Sequence, residues 1–217
     1  RYPLGDTFSR FLYGFYFLFI LPAPLLYFIY DISSQAHKDS FTALMQWGMG
    51  PSTAVFLLSV IYLAASSGRV SFKRPAFSSL ILSMAIFAIG GVIALFIRDV
   101  NTIIPAHYHC VIGAVTIAFM GLFYEVAPIF KKEIYSSRLA NIQPYIYFAG
   151  IVLFATGLFI AGNFGVARKT YAGAQNLDHI GKFIGMGIMG FGGLISIIGG
   201  IIFVVNALAT LMAAPKP

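Results

Sequence analysis

The chain has 217 residues, of which 59% are hydrophobic and only 10% are charged, and its formal net charge is +7. This composition is typical of an integral membrane protein. The single cysteine, Cys110, excludes an intrachain disulfide and a metal site built from cysteines alone. We interpret the positive charge as loop lysines and arginines beside anionic lipid. Because no RNA- or DNA-binding module is visible, nucleic acid is not an expected partner.

Apolar runs between polar breaks predict an all-α, polytopic transmembrane bundle of about six helices, since a span needs roughly 20 apolar residues. No linker divides them, which predicts a single membrane domain over residues 1–217. No signal-peptide pattern precedes the first span, as expected of a processed chain or of part of a longer polypeptide. The predicted spans are 10–30, 41–66, 76–97, 104–130, 139–163 and 182–212.

Proline and glycine modify several of these spans. Pro22 and Pro24 interrupt the first span, and Pro51 interrupts the second. The last span is rich in glycine, and small residues let membrane helices approach closely, so this helix is predicted to pack against neighbours. Its glycines are Gly185, Gly187, Gly190, Gly192, Gly193, Gly199 and Gly200.

Loop charges predict the orientation of the chain in the membrane. Two loops, after the second and the fourth span, are rich in lysine and arginine, and such loops are usually cytoplasmic. Both termini are then cytoplasmic, and a prokaryotic plasma membrane is the expected location. The basic residues are Arg69, Lys73 and Arg74 in the first loop and Lys131, Lys132 and Arg138 in the second.

The loop between the fifth and sixth spans departs from this charge pattern. It carries Arg168 and Lys169 on the predicted outer side, with Lys182 at the start of the last span. A pair of cations retained on that side indicates an anionic partner there. The alternative is that the membrane simply tolerates two charges.

Two histidines stand two positions apart in the segment IPAHYHCVIGAV of the fourth span, at His107 and His109. Positions i and i+2 of a helix lie about 200° apart, so these side chains are predicted to face opposite flanks and to serve different partners. Imidazole is a good axial ligand for haem iron, and a haem on each flank would explain both residues. The alternative is that both histidines hydrogen-bond to neighbouring helices.

The histidine motif and the segments after it resemble subunit I of the haem-copper oxidases. PAHYH follows Asn101, GLFYEVAP ends the same helix, SSRLA opens the next, and GLFIAGNFGVARKTYAGAQ follows. The likeness is closest to the branch of the ba3-type cytochrome c oxidases, and it implies that the chain corresponds to helices seven to twelve, the carboxyl-terminal half. By that resemblance His107 ligates the high-spin haem and His109 the low-spin haem. Arg168 and Lys169 would then meet the haem propionates, with Asn101, Asp178 and His179 as candidate support on the outer face.

The chain departs from this family at the position of the active-site copper. The family's seventh helix carries a His-His pair, and the nearest positions here are Leu25, Leu26 and Tyr27, in a span without histidine. Apolar side chains cannot hold copper, so copper is not expected in this chain and oxygen reduction requires partner subunits. The second axial ligand of the low-spin haem and the first half of the bundle would come from another membrane subunit.

Three further residues have open interpretations. His37, in SSQAHKDS, is expected to be a solvated loop residue. His179 either orients a propionate or a water, or it is a helix-entry residue beside Asp178, which is the favoured interpretation. Glu125 is either part of a proton relay or, as we favour, an interfacial acid near Lys131 and Lys132.

These features together predict a haem-binding membrane subunit of a respiratory oxidase-like complex, holding one or two haems and transferring electrons between them. The chain is not expected to be a complete enzyme alone, and a cytochrome c or cupredoxin-like protein is the expected electron carrier. Two alternatives are a haem-free membrane transporter and a structural or assembly subunit derived from an oxidase. A measurement of haem content would distinguish the haem-binding subunit from the haem-free transporter.

Overall fold

The computed structural model describes residues 5–66 and 71–213. Within these ranges the chain is helical and contains no β-strand, and six helices are long and apolar enough to cross a membrane. Both predictions, the all-α fold and the number of spans, are therefore confirmed. The spans run Asp6–Ile29, Gln35–Leu63, Pro75–Ala94, Ile103–Phe130, Ser137–Asn163 and Ile180–Met212. The helices group into two compact units, Arg1–Val70 and Ser71–Pro217.

The described residues of the first unit form four α-helices with two irregular joins. The helices are α1 (Asp6–Ile20), α2 (Leu26–Ile29), α3 (Gln35–Ala43) and α4 (Gly50–Ser66), with a 3₁₀ turn at Ala23–Leu25 and a π turn at Leu44–Met49. Proline explains both joins, because its nitrogen has no proton to donate to the preceding turn. Pro22 and Pro24 lie at the 3₁₀ turn, and Pro51 follows the π turn. The Tyr16 hydroxyl joins α1 to α4 through the hydroxyl of Thr53, at 2.6 Å.

His37 is not a solvated loop residue, and that prediction is wrong. The polar segment around it forms the first turns of α3, which Ser34 caps by accepting a hydrogen bond from the His37 backbone N–H. The His37 side chain is buried, with its ring centroid 5.0 Å from that of Tyr27 and 4.8 Å from that of Phe41. An N-cap serine can start a helix inside a polar segment, so low hydropathy alone misplaced this helix start.

In residues 71–213, the part of the second unit that the structure describes, there are four long helices. These are α5 (Pro75–Ala94), α6 (Ile103–Val126), α7 (Ser137–Asn163) and α8 (Ile180–Met212). Short 3₁₀ turns follow α6 at Ala127–Phe130 and precede α8 at Ala172–Gln175. A buried apolar core joins α5, α6 and α7 and includes Ile86, Cys110, Ile117 and Ile151.

Glycine lets α7 and α8 pack at close range, as the sequence predicts. A Cβ atom at Gly185 would lie 2.6 Å from the backbone nitrogen of Ala161, and one at Gly192 would meet the backbone nitrogen of Phe154. These contacts recur every seven residues along α8, with Gly199 as the third, which keeps them on one face of the helix. Four other glycines of α8 differ: Gly187, Gly190 and Gly200 face open space, and a Cβ at Gly193 would only touch the ring of Phe154.

The end of α8 is tied to the loop that joins α6 and α7. The Lys132 ammonium donates hydrogen bonds to the carbonyl oxygens of Leu211 and Ala213, which a helix C-terminus otherwise leaves unpaired. The Asn206 side chain accepts from the Ser136 backbone N–H at 2.9 Å and donates to its carbonyl oxygen. These contacts fix the basic loop at one end of the four-helix unit.

Candidate functional site

The first turns of α6 are anchored before they reach the two histidines. The Asn101 side chain accepts a hydrogen bond from the Ile103 backbone N–H at 2.9 Å, which satisfies one of the free donors at a helix start. The Thr102 hydroxyl donates to the carbonyl oxygen of Leu158 on α7 at 2.8 Å. Because Ile103 and Ala106 are also buried, the start of α6 has a fixed position against its neighbours.

His107 is directed towards α5. Its Nδ1 lies 2.8 Å from the carbonyl oxygen of Gly90, and the residue is half-buried. A Cβ at Gly90 would lie 2.8 Å from the Cys110 Cβ and 3.3 Å from the His107 carbonyl oxygen. Only glycine therefore allows α5 and α6 to approach closely enough for this hydrogen bond.

His109 faces a different set of neighbours. Its Nδ1 lies 2.7 Å from the carbonyl oxygen of Pro105, one turn earlier in α6. Its ring lies between aromatic rings, 4.5 Å from that of Tyr108 and 4.7 Å from that of Phe154 on α7. The pair therefore diverges, one imidazole against α5 and the other against α7, as the spacing predicts.

The hydrogen bonds fix which nitrogen of each ring is free. A carbonyl oxygen only accepts, so Nδ1 of each neutral ring must carry the proton and Nε2 must carry the lone pair. A histidine that binds a metal through one ring nitrogen usually donates its other N–H to a carbonyl or carboxylate in this way. Within the part of the chain that the structure describes, no hydrogen bond engages Nε2 of His107 or His109. Both rings thus fit the role of an axial ligand.

The loop with Arg168 and Lys169 lies at the histidine end of α6. Its Val166 carbonyl oxygen accepts a hydrogen bond from the Thr102 backbone N–H at 3.0 Å, and Ala167 forms a β-bridge with Asn101. Arg168 and Lys169 follow directly. The pairing therefore places both cations beside the start of the helix that carries the histidines, where the sequence analysis expects them.

Arg168 has an unpaired donor that an anionic ligand could satisfy. Its Nε is buried and makes no hydrogen bond to any of the described residues, although unpaired buried donors are costly. Lys169 is exposed and has a left-handed backbone conformation with φ 59°. A haem propionate is a suitable partner, because a guanidinium can bind a carboxylate through two parallel hydrogen bonds, whereas the lysine contact is a point charge.

The other residues considered for the outer face are engaged in local structure. The His179 Nδ1 accepts the Gly181 backbone N–H at 3.0 Å and so caps α8, in line with the helix-entry interpretation. Its ring stacks on Phe164 with centroids 4.6 Å apart. Asp178 forms an ion pair with Lys182 at 2.7 Å, and the hydrogen bond from that ammonium lowers the pKa of the carboxyl. This ion pair also gives a local partner to Lys182, one of the cations that the sequence analysis found on the predicted outer side.

The three positions that correspond to the family's copper ligands, by the resemblance described above, hold no histidine. Leu25 ends the 3₁₀ turn of the first unit, Leu26 begins α2, and Tyr27 is exposed and packs against His37. Among the described residues, no group of three or more His, Cys, Asp or Glu side chains could hold a metal ion. A haem needs only one or two protein ligands, so this finding leaves the α6 histidines as candidates.

Glu125 lies at the opposite end of α6 and has a different partner from the one expected. It pairs with Arg74, not with Lys131 or Lys132, at 3.3 Å. More than half of each side chain is exposed, so the acid is on the surface of the unit, as the interfacial interpretation requires.

Two contacts of the site were missed by the sequence analysis. The Gly90 carbonyl accepts from His107, and the Phe154 ring packs on His109. The Gly-Gly pair at positions 90 and 91 was a visible signal of close helix packing in α5. No comparable signal singles out Phe154 among the many aromatic residues of the chain.

Comparison with known proteins supports the same assignment. The family model described as cytochrome c and quinol oxidase polypeptide I matches residues 5–202. An uncharacterized protein of Rickettsia prowazekii is 29% identical over 92% of this chain and 46% of its own length. An uncharacterized protein of Aquifex aeolicus is 24% identical over 63% of this chain and 34% of its own length. The chain thus spans less than half the length of these relatives.

The match covers most of the chain, so the chain belongs to the cytochrome c and quinol oxidase polypeptide I family. With its six apolar helices, it is an integral membrane protein similar to oxidase subunit I. Members of this family normally bind haem and work in membrane complexes.

Proposed function

We propose that the chain is a haem-binding subunit of a respiratory oxidase-like membrane complex that transfers electrons between haems. The observation that carries the proposal is the pair of divergent imidazoles, each with Nδ1 on a backbone carbonyl and Nε2 free of hydrogen bonds. His107 takes the position of the high-spin haem ligand and His109 that of the low-spin ligand. A bound haem supplies one-electron chemistry at its iron.

The residues of the chain orient the ligands and balance charge. The Gly90 and Pro105 carbonyls hold the two rings in place and increase the basicity of Nε2, as acceptors behind a metal-bound histidine do. Arg168 and Lys169 bind propionate oxygens, and this contact gives the buried Arg168 Nε the acceptor that it lacks within the chain. Phe154 excludes water from one side of His109.

The remaining parts of the proposed complex come from elsewhere. Another membrane subunit, or a further part of the same polypeptide, supplies the opposing ligand of the low-spin haem and the first half of the bundle. Leu25 and Leu26 offer no copper ligand, so oxygen reduction is possible only with such a partner. A cytochrome c or cupredoxin-like protein delivers electrons. The chain lies as one domain in a prokaryotic plasma membrane with both termini in the cytoplasm.

Haem content and two histidine variants test this proposal. A pyridine haemochrome assay on the purified complex should detect haem. His109→Ala should remove a low-spin signal and His107→Ala a separate high-spin signal in the absorption and electron paramagnetic resonance spectra. His179→Asn is the matched control, because His179 is exposed and asparagine can also cap the start of α8. This variant should leave both signals unchanged.

Two results would contradict the proposal. A complex that is folded and contains no haem would favour a haem-free transporter or an assembly subunit. If both histidine variants erased the same signal, the assignment of one haem to each imidazole would be wrong.

A further inference from the structure

A cavity with charged residues in its wall lies at the end of the second unit that is remote from the histidines. It has a volume of about 420 Å³ and is bounded by the start of α5, the end of α6 and the start of α7. Glu125, in its wall, follows His107 by 18 residues, which is about 27 Å along a helix. The cavity is therefore separate from the candidate haem site, and its size is within the range of small-ligand sites, roughly 300–1,000 Å³.

The charge of this cavity favours an anion. Lys73 and Arg74 line it, and Arg138 lines an adjoining pocket that also contains Lys73. Glu125 is the one acid in these two linings, and it is paired with Arg74 in an exposed ion pair that contributes little stability. Three cations against one carboxylate leave a net formal charge of +2. Basic pockets between transmembrane helices are typical binding sites for anionic lipid headgroups.

Asn141, in the wall of the cavity, has an unsatisfied acceptor. It is half-buried, lines both pockets, and its Oδ1 is buried without a hydrogen-bond partner among the described residues. An amide oxygen accepts a hydrogen bond from a hydroxyl group, and a fully deprotonated inorganic anion has no hydroxyl to donate one. A ligand that carries a hydroxyl next to its phosphate would satisfy both the cations and Asn141.

An apolar groove continues from the cavity along α5 and α6. The groove has a volume of about 330 Å³ and shares Arg74, Ala76 and Glu125 with the cavity. Beyond these residues its walls are formed by apolar side chains, at Phe77 and Leu80 on α5 and Ala118 and Leu122 on α6. A hydrocarbon chain fits such a surface, and a free anion would leave it uncovered.

From this combination we infer that the cavity and groove bind an anionic glycerophospholipid. The phosphate lies among Lys73, Arg74 and Arg138, a headgroup hydroxyl donates to Asn141, and one acyl chain lies along the groove. This lipid holds the ends of α5, α6 and α7 together at the membrane edge. The inference does not depend on haem binding, because the site shares no residue with the histidine end.

The test measures lipid retention by native mass spectrometry. The intact protein is purified from vesicles with equimolar phosphatidylglycerol and phosphatidylcholine, and phosphatidylglycerol should be retained selectively. Arg74→Gln should weaken retention about fivefold, since a cation near an anionic lipid surface contributes about 1 kcal/mol. Arg98→Gln is the matched control, because Arg98 is an exposed arginine just beyond the other end of α5 and should have no effect.

Two further variants separate this site from a structural ion pair. Glu125→Gln also breaks the ion pair but frees Arg74, so it should retain the lipid equally well or better. Ala118→Phe fills the groove at an exposed position and should reduce retention of phosphatidylglycerol. Its circular dichroism spectrum should be the same as that of the unmodified protein, which shows that the fold is kept. Inorganic phosphate at the same concentration should not displace the lipid.

The inference is overturned by any of three outcomes. Equal retention of both lipids would show that no anionic headgroup is recognised. An equal loss in Arg74→Gln and Glu125→Gln would assign the effect to the ion pair. Displacement by inorganic phosphate, with Ala118→Phe unaffected, would identify a simple anion site.

Discussion

Replacing Gly90 with alanine should disturb the His107 position and destabilise the protein. The added Cβ would lie 2.8 Å from the Cys110 Cβ, about 1 Å closer than the optimum for two carbon atoms. Overpacking of this kind costs about 1–3 kcal/mol. Displacement of α5 also weakens the hydrogen bond from His107 to the Gly90 carbonyl, which contributes about 1 kcal/mol.

Gly91→Ala provides a matched control in the same helix. A Cβ at Gly91 meets no atom within 4 Å, so this variant gains the usual advantage of alanine over glycine, about 1 kcal/mol, without a clash. Because both variants have the same gain, their difference isolates the contact. The free energy of unfolding in detergent, followed by circular dichroism, should be about 2–4 kcal/mol lower for Gly90→Ala than for Gly91→Ala.

A second substitution tests whether the cause is the contact with Cys110. Gly90→Ala combined with Cys110→Gly removes the Cβ that the new methyl group would meet, so the double variant should be less destabilised than the sum of the two single variants. Equal stability of Gly90→Ala and Gly91→Ala would refute the close approach of α5 and α6. Full additivity in the double variant would refute Cys110 as the point of contact.

Three further predictions concern the loop and the last helix. Arg168→Gln should increase the rate of haem loss about tenfold and lower the haem midpoint potential, measured by spectroelectrochemistry, because a cation that favours the reduced haem is removed. The hydrogen bond from Lys182 lowers the pKa of Asp178 below its ordinary value of 3.8. The ion pair therefore stabilises the fold fully above pH 3.8, and this stabilisation is lost as the pH falls through the lowered pKa. Asp178→Asn should abolish this acid dependence of thermal unfolding. Gly192→Ala should destabilise α8 by about 1–3 kcal/mol because its Cβ would meet the backbone of α7, whereas Gly190→Ala, in open space, should not.

The spans and the divergence of the histidines were accessible from the sequence for physical reasons. A helix that crosses a membrane pairs all its backbone hydrogen bonds internally and needs a run of about 20 apolar residues. Such runs can be recognised in the sequence from hydropathy. The angle between His107 and His109 follows from helix geometry alone, and the structure places them against α5 and α7 accordingly. The excess of cations in the loop between the fifth and sixth spans also anticipated the unpaired Nε of Arg168.

The details that sequence missed depend on contacts between distant segments. The burial of His37 depends on the ring of Tyr27, which lies on another helix, and a polar segment gives no sign of that contact. The Glu125 partner was misjudged because Lys131 and Lys132 are near in sequence, whereas Arg74 is near in space. Neither pairing follows from hydropathy or from spacing within one helix.

A cryo-EM density map of the purified membrane complex at side-chain resolution tests the central claim most directly. We predict a separate macrocycle at Nε2 of His107 and of His109, with Arg168 in contact with a propionate. A map in which both imidazoles contact only protein side chains, or share one macrocycle, would contradict it.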